Sequence, residues 1–154
     1  MFDSKDYKIL TTLQHNSRTT ASEIADLVKM SISAATERIK KLKDNGTVES
    51  YTAKLNAKEL GFDLAAYIAV VSSSSEHYDE IIQKSIKHPA VLECHSVTGD
   101  GSHMLKVRVR NSSELEQLLR DIQSWPGVIR THTSVIMSTY KEGFELDLTS
   151  LNNT

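Results

Sequence analysis

The chain has 154 residues, 39% hydrophobic and 25% charged, with 18 Lys and Arg against 20 Asp and Glu for a formal net charge of −2. That balance excludes a disordered polyelectrolyte and fits one medium domain or two small ones. A single cysteine, Cys94, excludes an internal disulfide and a cysteine-built zinc cluster, and no apolar run approaches the ~20 residues a membrane helix needs.

The opening Met1-Phe2-Asp3-Ser4-Lys5-Asp6 has no basic stretch followed by an apolar core, so no signal peptide is expected and the expected compartment is a reducing cytoplasm. Residues 1–55 carry nine basic against seven acidic side chains, and residues 56–154 nine against thirteen. A mildly basic front and an acidic body hint at an anion-binding first domain, though a difference this small is also common on solvated surfaces.

Three short helices are expected first. Asp3, with Asp6 three residues on, caps a helix whose apolar stripe is Ile9, Leu10 and Leu13, ending at Asn16-Ser17. Thr20 and Glu23 form a capping box for a second helix with Ile24, Leu27 and Val28 on one face. After a break at Lys29-Met30, Ser31 caps a third helix that turns Ala35, Ile39 and Leu42 inward, and Asn45-Gly46 stops it.

Helix, tight break, helix at this size is the helix-turn-helix pattern. The outward face of the third helix is short or polar: Ser33, Ala34, Thr36, Glu37 and Lys40, with Lys41 and Lys43 beside it. Small side chains allow close approach to base edges, hydroxyls bond bases or phosphates, and Arg38, Lys40 and Lys41 are the candidate phosphate neutralisers. Thr47 to Ala53 suits an extended wing. A plain three-helix bundle with a solvated basic face satisfies the same periodicity.

The rest of the chain contains an internal repeat. Ile81-Ile82 and His88-Pro89-Ala90-Val91-Leu92-Glu93-Cys94-His95-Ser96 recur at an offset of 37 as Leu118-Leu119 and Trp125-Pro126-Gly127-Val128-Ile129-Arg130-Thr131-His132-Thr133. Each copy is an amphipathic helix, a proline turn and a strand, with Ser75 and Asn111 as expected helix caps. With β-prone runs at Leu64–Val71 and Met104–Val109, the order becomes β-α-β-β-α-β, a ferredoxin-like split arrangement with both helices on one face of a four-stranded antiparallel sheet. The run Leu64–Val71 is apolar on both faces, so the uncovered face is expected to meet another subunit; a monomeric, locally apolar sheet is the alternative.

The turn Val97-Thr98-Gly99-Asp100-Gly101-Ser102-His103 is the candidate small-molecule site. Its glycines permit positive φ, Asp100 suits an ammonium group, and backbone N–H groups with Ser102 suit a carboxylate, a combination that fits an amino acid. A simple β-turn is the competing reading. His95 and His132 hold matched places in the repeat and are expected either to approach each other or to be paired strand residues; spacing for a metal centre is lacking. No nucleophile elbow, Walker loop or motif-grade catalytic pair is present in the sequence, and no cofactor is expected.

Taken together, these residues resemble the Lrp/AsnC family of leucine- and asparagine-responsive transcriptional regulators. The resemblance runs from about Asp3 to Tyr140. It is carried by Asp6-x-x-Ile9-Leu10-x-x-Leu13, Arg18, Glu23-Ile24-Ala25, Ser31-x-Ser33, Arg38-Ile39-Lys40-Lys41-Leu42 and Gly46-x-Val48, then Leu60-Gly61, Val97-Thr98-Gly99-Asp100 and Pro126-Gly127-Val128-x-x-Thr131-x-Thr133. The resemblance implies an α+β chain: a winged helix-turn-helix (1–55), a linker (56–63) and a βαββαβ effector and oligomerisation domain (64–154).

The resemblance also implies double-stranded DNA as partner, dimers that assemble further, often into octamers, and response to a small amino acid. The DNA-contacting set it implies is Arg18, Ser31, Ser33, Ala34, Thr36, Glu37, Arg38, Lys40 and Lys41. The effector set is Gly99, Asp100, Gly101, Ser102 and His103 with Thr131 and Thr133. One departure concerns the effector: many members carry an acidic residue where Ser102 stands and an aromatic at Gly101, so a charge-assisted bond to an amino group is missing here. Similar two-domain proteins include sirohaem decarboxylases, lyases in which His95, His132, Arg108 or Arg130 would face an anionic tetrapyrrole. A third alternative is an architectural protein that coats DNA with little specificity.

Overall fold

The computed structural model describes residues 2–151. Three helices come first: α1 (Ser4–His15), α2 (Ala21–Val28) and α3 (Ile32–Asp44). Their starts are set by local side-chain chemistry. Asp3 accepts from the backbone N–H groups of Lys5 and Asp6, while the Asp6 carboxylate accepts from the Asp3 N–H, closing a reciprocal capping box. Thr20 and Glu23 close a second box on α2, and Ser31 accepts from the Ala34 N–H to start α3. Lys29 ends α2 in the left-handed region at φ 52°, and the Met30 N–H donates to the Ala25 carbonyl, so the chain reverses within a few residues.

These helices pack around Ile9, Leu13, Ile24, Ala25, Val28, Ala35 and Leu42, with Ile39 partly buried beside them. Leu27 does not join the core as expected: it is 51% exposed, and Ala25 takes the inward place. At roughly 100° per residue, a stripe through positions 24, 25 and 28 leaves position 27 beyond its edge. The wing expected over Thr47–Ala53 forms no strand. The Val48 N–H instead donates to the Leu42 carbonyl and Val48 packs on the helical core, so the segment leaves α3 with no neighbouring strand to ladder with.

The later residues form β1 (Leu64–Ser72), a 3₁₀ turn at Ser75–His77, α4 (Tyr78–Lys87), β2 (Val91–Ser96), β3 (His103–Val109), α5 (Ser112–Gln123) and β4 (Val128–Val135). The sheet order is β2-β3-β1-β4, with every neighbouring pair antiparallel. This is the βαββαβ arrangement expected from the repeat. Asn111 caps α5 through the Glu114 N–H, as expected. Ser75 does not cap α4: it opens the 3₁₀ turn, and α4 begins at Tyr78 without a side-chain cap.

One face of the sheet presents Ala66, Ile68, Val70, Leu105, Val107 and Val109 to Ile81 of α4 and to Leu115, Leu118, Ile122 and Trp125 of the α5 region. Gly127, in the second proline turn, is required by its surroundings. It has φ +79°, and a Cβ there would meet the His77 ring at 2.3 Å. The other sheet face is built in rows. His95, Met104, Ala69 and His132 lie across one row, and Glu93, Lys106, Tyr67 and Ser134 across the next.

The chain divides into two compact units. One runs to Lys54 and also takes in the segment that begins at Lys141; the other is Leu55–Tyr140. In the first, the Gln14 side chain clasps the Leu146 backbone, accepting from its N–H and donating to its carbonyl, and Lys54 pairs with Glu142. No helix among the described residues is long and apolar enough to cross a membrane.

Candidate nucleic-acid interface and effector turn

Burial of Ala35 and Leu42 fixes the outward face of α3. Ser31, Ser33, Thr36, Glu37, Lys40 and Lys41 are exposed, and Ala34 is half-buried at the margin. Their hydrogen bonds separate their roles. The Ser31 hydroxyl holds the helix start and lies 3.1 Å from the Ser33 hydroxyl. Thr36 donates back to the Ile32 carbonyl, which leaves its methyl group and oxygen lone pairs outward. Lys43 donates to the Glu49 carbonyl. Lys40 and Lys41 form no ion pair among the described residues, and neither does Arg18, which stands exposed in the turn between α1 and α2.

Arg38 departs from the expected set. Its Nη1 donates to Asp6 and lies 2.8 Å from carboxylate oxygens of both Asp3 and Asp6, so its guanidinium is engaged by the start of α1 rather than free for a phosphate. Its role here is to tie α3 to α1. The Asp3 carboxyl is held below its ordinary range, first by the Asp6 N–H and then by Arg38. Sequence periodicity placed Arg38 near the polar edge of the helix and gave no sign of the two carboxylates 32 and 35 positions earlier.

The effector turn lies between β2 and β3. Gly99 has φ +112°, and a Cβ on Gly101 would come within 3.2 Å of the Val70 carbonyl, so the turn lies close against β1. The Ser102 N–H donates to that carbonyl at 2.9 Å, its hydroxyl donates to it at 3.2 Å, and the Val97 N–H donates to the Ser102 carbonyl. Asp100 is exposed, while His103 has no solvent-accessible surface. His103 on β3 and Thr131 on β4 flank Val70 from opposite sides, so residues far apart in sequence converge on one end of β1. Gln123 donates to the Thr131 hydroxyl, and Thr133 lies two residues further along β4, opposite Ile68.

His95 and His132 do not approach each other. They occupy the two outer strands of the sheet, three interstrand steps apart or about 14 Å. Matched repeat positions in a β-α-β-β-α-β sheet fall on opposite edges, which sequence alignment alone does not reveal. His95 lies 3.2 Å from Glu93, whose other oxygen meets Lys106, and no cluster of three potential metal ligands exists among the described residues. Arg108 donates to the Phe62 carbonyl.

An exposed polar helix on a three-helix core, followed along the chain by a domain of duplicated βαβ halves, defines a helix-turn-helix transcriptional regulator with a separate second domain. Comparison with known proteins agrees over the whole chain. Residues 2–49 match a winged helix-turn-helix DNA-binding model, and residues 65–146 match the Lrp/AsnC ligand binding domain. The chain therefore belongs to the Lrp/AsnC family.

The HTH-type transcriptional regulator FL11 of Pyrococcus horikoshii is 34% identical over 146 residues, 95% of this chain and 96% of that one. LrpA of Mycobacterium tuberculosis is 31% identical over 138 residues, covering 90% and 91%. Among solved structures, a Neisseria meningitidis transcriptional regulator in complex with L-Met superposes with a TM-score of 0.93 at 29% identity, covering 98% of this chain and 99% of that one. Escherichia coli AsnC superposes with a TM-score of 0.88 at 25% identity, covering 94% and 98%.

The Arg38 tie has a measurable consequence. Arg38→Ala is expected to lower the melting temperature by a few degrees, since a partly exposed ion pair contributes at most about 1 kcal/mol. In wild type, stability contributed by the depressed Asp3 carboxyl is present above the ordinary carboxylate range and lost as pH falls through its folded value. In Arg38→Ala that acid loss should be smaller and should be complete at a higher pH, because the folded value moves toward the ordinary one. Thermal melts from pH 2 to 7 check both; superimposable curves would show the tie to be idle.

Proposed function

We propose that this chain is a sequence-specific DNA-binding regulator whose α3 enters the major groove of a duplex and whose binding is tuned by a small amino acid at the Gly99–His103 turn. The observation that carries the reading is the exposed Ser33–Thr36–Glu37–Lys40 face of α3, with Lys40 and Lys41 free of ion pairs among the described residues. Short side chains near the start of α3 leave room for base edges, while Lys40, Lys41 and Arg18 supply phosphate contacts. Ser31 acts mainly as the cap that sets the angle of this helix, and Arg38 as its anchor.

The effector reading rests on the convergence of Ser102, His103 and Thr131 at the end of β1 and on the L-Met bound by the Neisseria relative. In this chain Ser102 is engaged with Val70, so Asp100 is the acidic group left for an ammonium. The effector works by binding one assembly state better than another. The outer sheet face, with its small Ala65 and Ala69 around the 40%-exposed Tyr67, is the surface that meets a second copy, and such dimers assemble further, up to octamers. Residues 1–55 form the DNA-binding part, 56–63 the linker and 64–154 the effector and oligomerisation part. The chain acts in the cytoplasm, as a regulator and not as an enzyme. Nothing in the relatives favours the lyase reading.

Lys40→Ala and Lys41→Ala should each weaken duplex binding and reduce the slope of log affinity against log salt by about 1. Fluorescence anisotropy at several salt concentrations, with specific and random duplexes, checks this. Equal affinity for both duplexes would favour the architectural alternative, and unchanged slopes would place the interface elsewhere. A thermal-shift screen of the twenty amino acids tests the second half. One or a few small amino acids should raise the melting temperature by mass action, at about 2.7 kcal/mol when present at a hundredfold excess over Kd. A flat response would leave a regulator without an amino-acid effector.

A further inference from the structure

Among the described residues, the one buried ionisable side chain without a charged partner is His103, at the root of the effector turn. It has no solvent-accessible surface, and its Nε2 has no hydrogen-bond partner among the described residues. Its other nitrogen is committed. The Ser102 Oγ lies 3.2 Å from the Val70 carbonyl and 2.9 Å from His103 Nδ1. A carbonyl only accepts, so a Ser102 hydroxyl that donates to Val70 receives Nδ1–H on its Oγ; the reverse arrangement would put the ring proton on Nε2, a buried donor with no acceptor among the described residues. With no acceptor at Nε2 for a second proton, the packed imidazole is neutral and protonated on Nδ1, with a bare lone pair on Nε2.

The ring is also packed: Tyr78, the first residue of α4, stands edge-on to it at 4.9 Å between centroids and 89° between planes. Around it, β1 contributes Val70 and β2 contributes Ser96 in register, neither of them ionisable. From the α4 side the ionisable group is Tyr78, with His77, Asp79 and Glu80 on the adjoining residues, and the turn itself carries Asp100. No carboxylate pairs with the imidazole.

We propose that His103 is a proton-operated latch: neutral, it clamps the Val97–His103 turn onto β1 beneath Tyr78, and protonated, it is expelled and releases the turn. Protonation adds an Nε2–H donor in a packed site where no acceptor meets it, and the cost of an unmatched buried charge exceeds that of opening a short turn. Leaving the site takes Ser102 along, so the Ser102 bonds to Val70 and the Val97 bond to Ser102 go together. Burial pushes the His103 imidazole below the ordinary histidine value, in keeping with this packing. The sign follows. The opened or unfolded form binds the proton more readily, so closure is fully stable above about pH 6.5 and weakens as pH falls from there through the folded value. The latch is a property of the turn alone and holds whether or not an amino acid binds there.

The test uses the full-length protein without ligand, so its failure leaves the effector reading untouched. Nitrogen-15 NMR of the imidazole should show the Nδ1–H form at pH 7.5 and a midpoint below that of free histidine. Hydrogen exchange of the 97–103 amides, corrected for intrinsic rate, should accelerate by up to about tenfold per pH unit below pH 6.5. That acceleration should vanish in His103→Phe and in His103→Gln, neither of which titrates; the second covers the case that the first does not fold. A midpoint at or above 6.5, an Nε2–H form, or an acid acceleration that persists in either variant would overturn the latch.

Discussion

The burial of Ala35 and Leu42 against α1 and α2 decides what α3 can show to a partner. Turning that helix by one residue would exchange them for Thr36 and Lys43. It would expose a leucine worth about 1.5–3 kcal/mol and bring an ammonium toward the core. The Arg38 tie to Asp3 and Asp6 contributes less but lies between those two buried positions on α3, linking α3 to the start of α1. Between them, apolar packing and one charged clasp leave Ser33, Thr36, Glu37 and Lys40 as the outward set. The DNA-reading role proposed for α3 rests on that orientation more than on the basic charge of the first domain, which is only two positive charges in excess.

The second unit solves a different problem. A duplicated βαβ half builds a sheet whose two outer strands are the second strand of each copy, so equivalent residues end far apart, as His95 and His132 do. The same topology brings the turn after β2 and the start of β4 together at Val70. A site at that end is assembled by strand order rather than by neighbouring sequence. The outer face carries its polar groups in pairs, Glu93 with Lys106 and with His95, around a centre of Ala65, Tyr67 and Ala69.

Much of this was legible in the sequence because it is local. The caps at Asp3, Thr20, Ser31 and Asn111 need residues only two or three positions away, and each forms as expected. The repeat gave the element order and the four-stranded antiparallel sheet, whereas the spatial order β2-β3-β1-β4 came from the structure. Features that depend on distant residues were not legible. Arg38 was assigned by its basic character, yet its partners lie at the start of another helix. Leu27 was assigned inward by spacing, but a small residue at position 25 let the stripe settle one step away. Strand alternation turns His103 inward beside Val70, a burial its place in a glycine-rich turn does not announce. Burial divides the proposed effector segment into an exposed Asp100 and an enclosed His103.

The most direct measurement is amide chemical-shift mapping of the full-length protein on addition of a cognate duplex. The account predicts the largest perturbations at Ser33, Thr36, Glu37 and Lys40, with smaller ones at Ala35 and Leu42 on the buried side of the same helix. Perturbations confined to the sheet-containing unit, or spread evenly around α3, would contradict it.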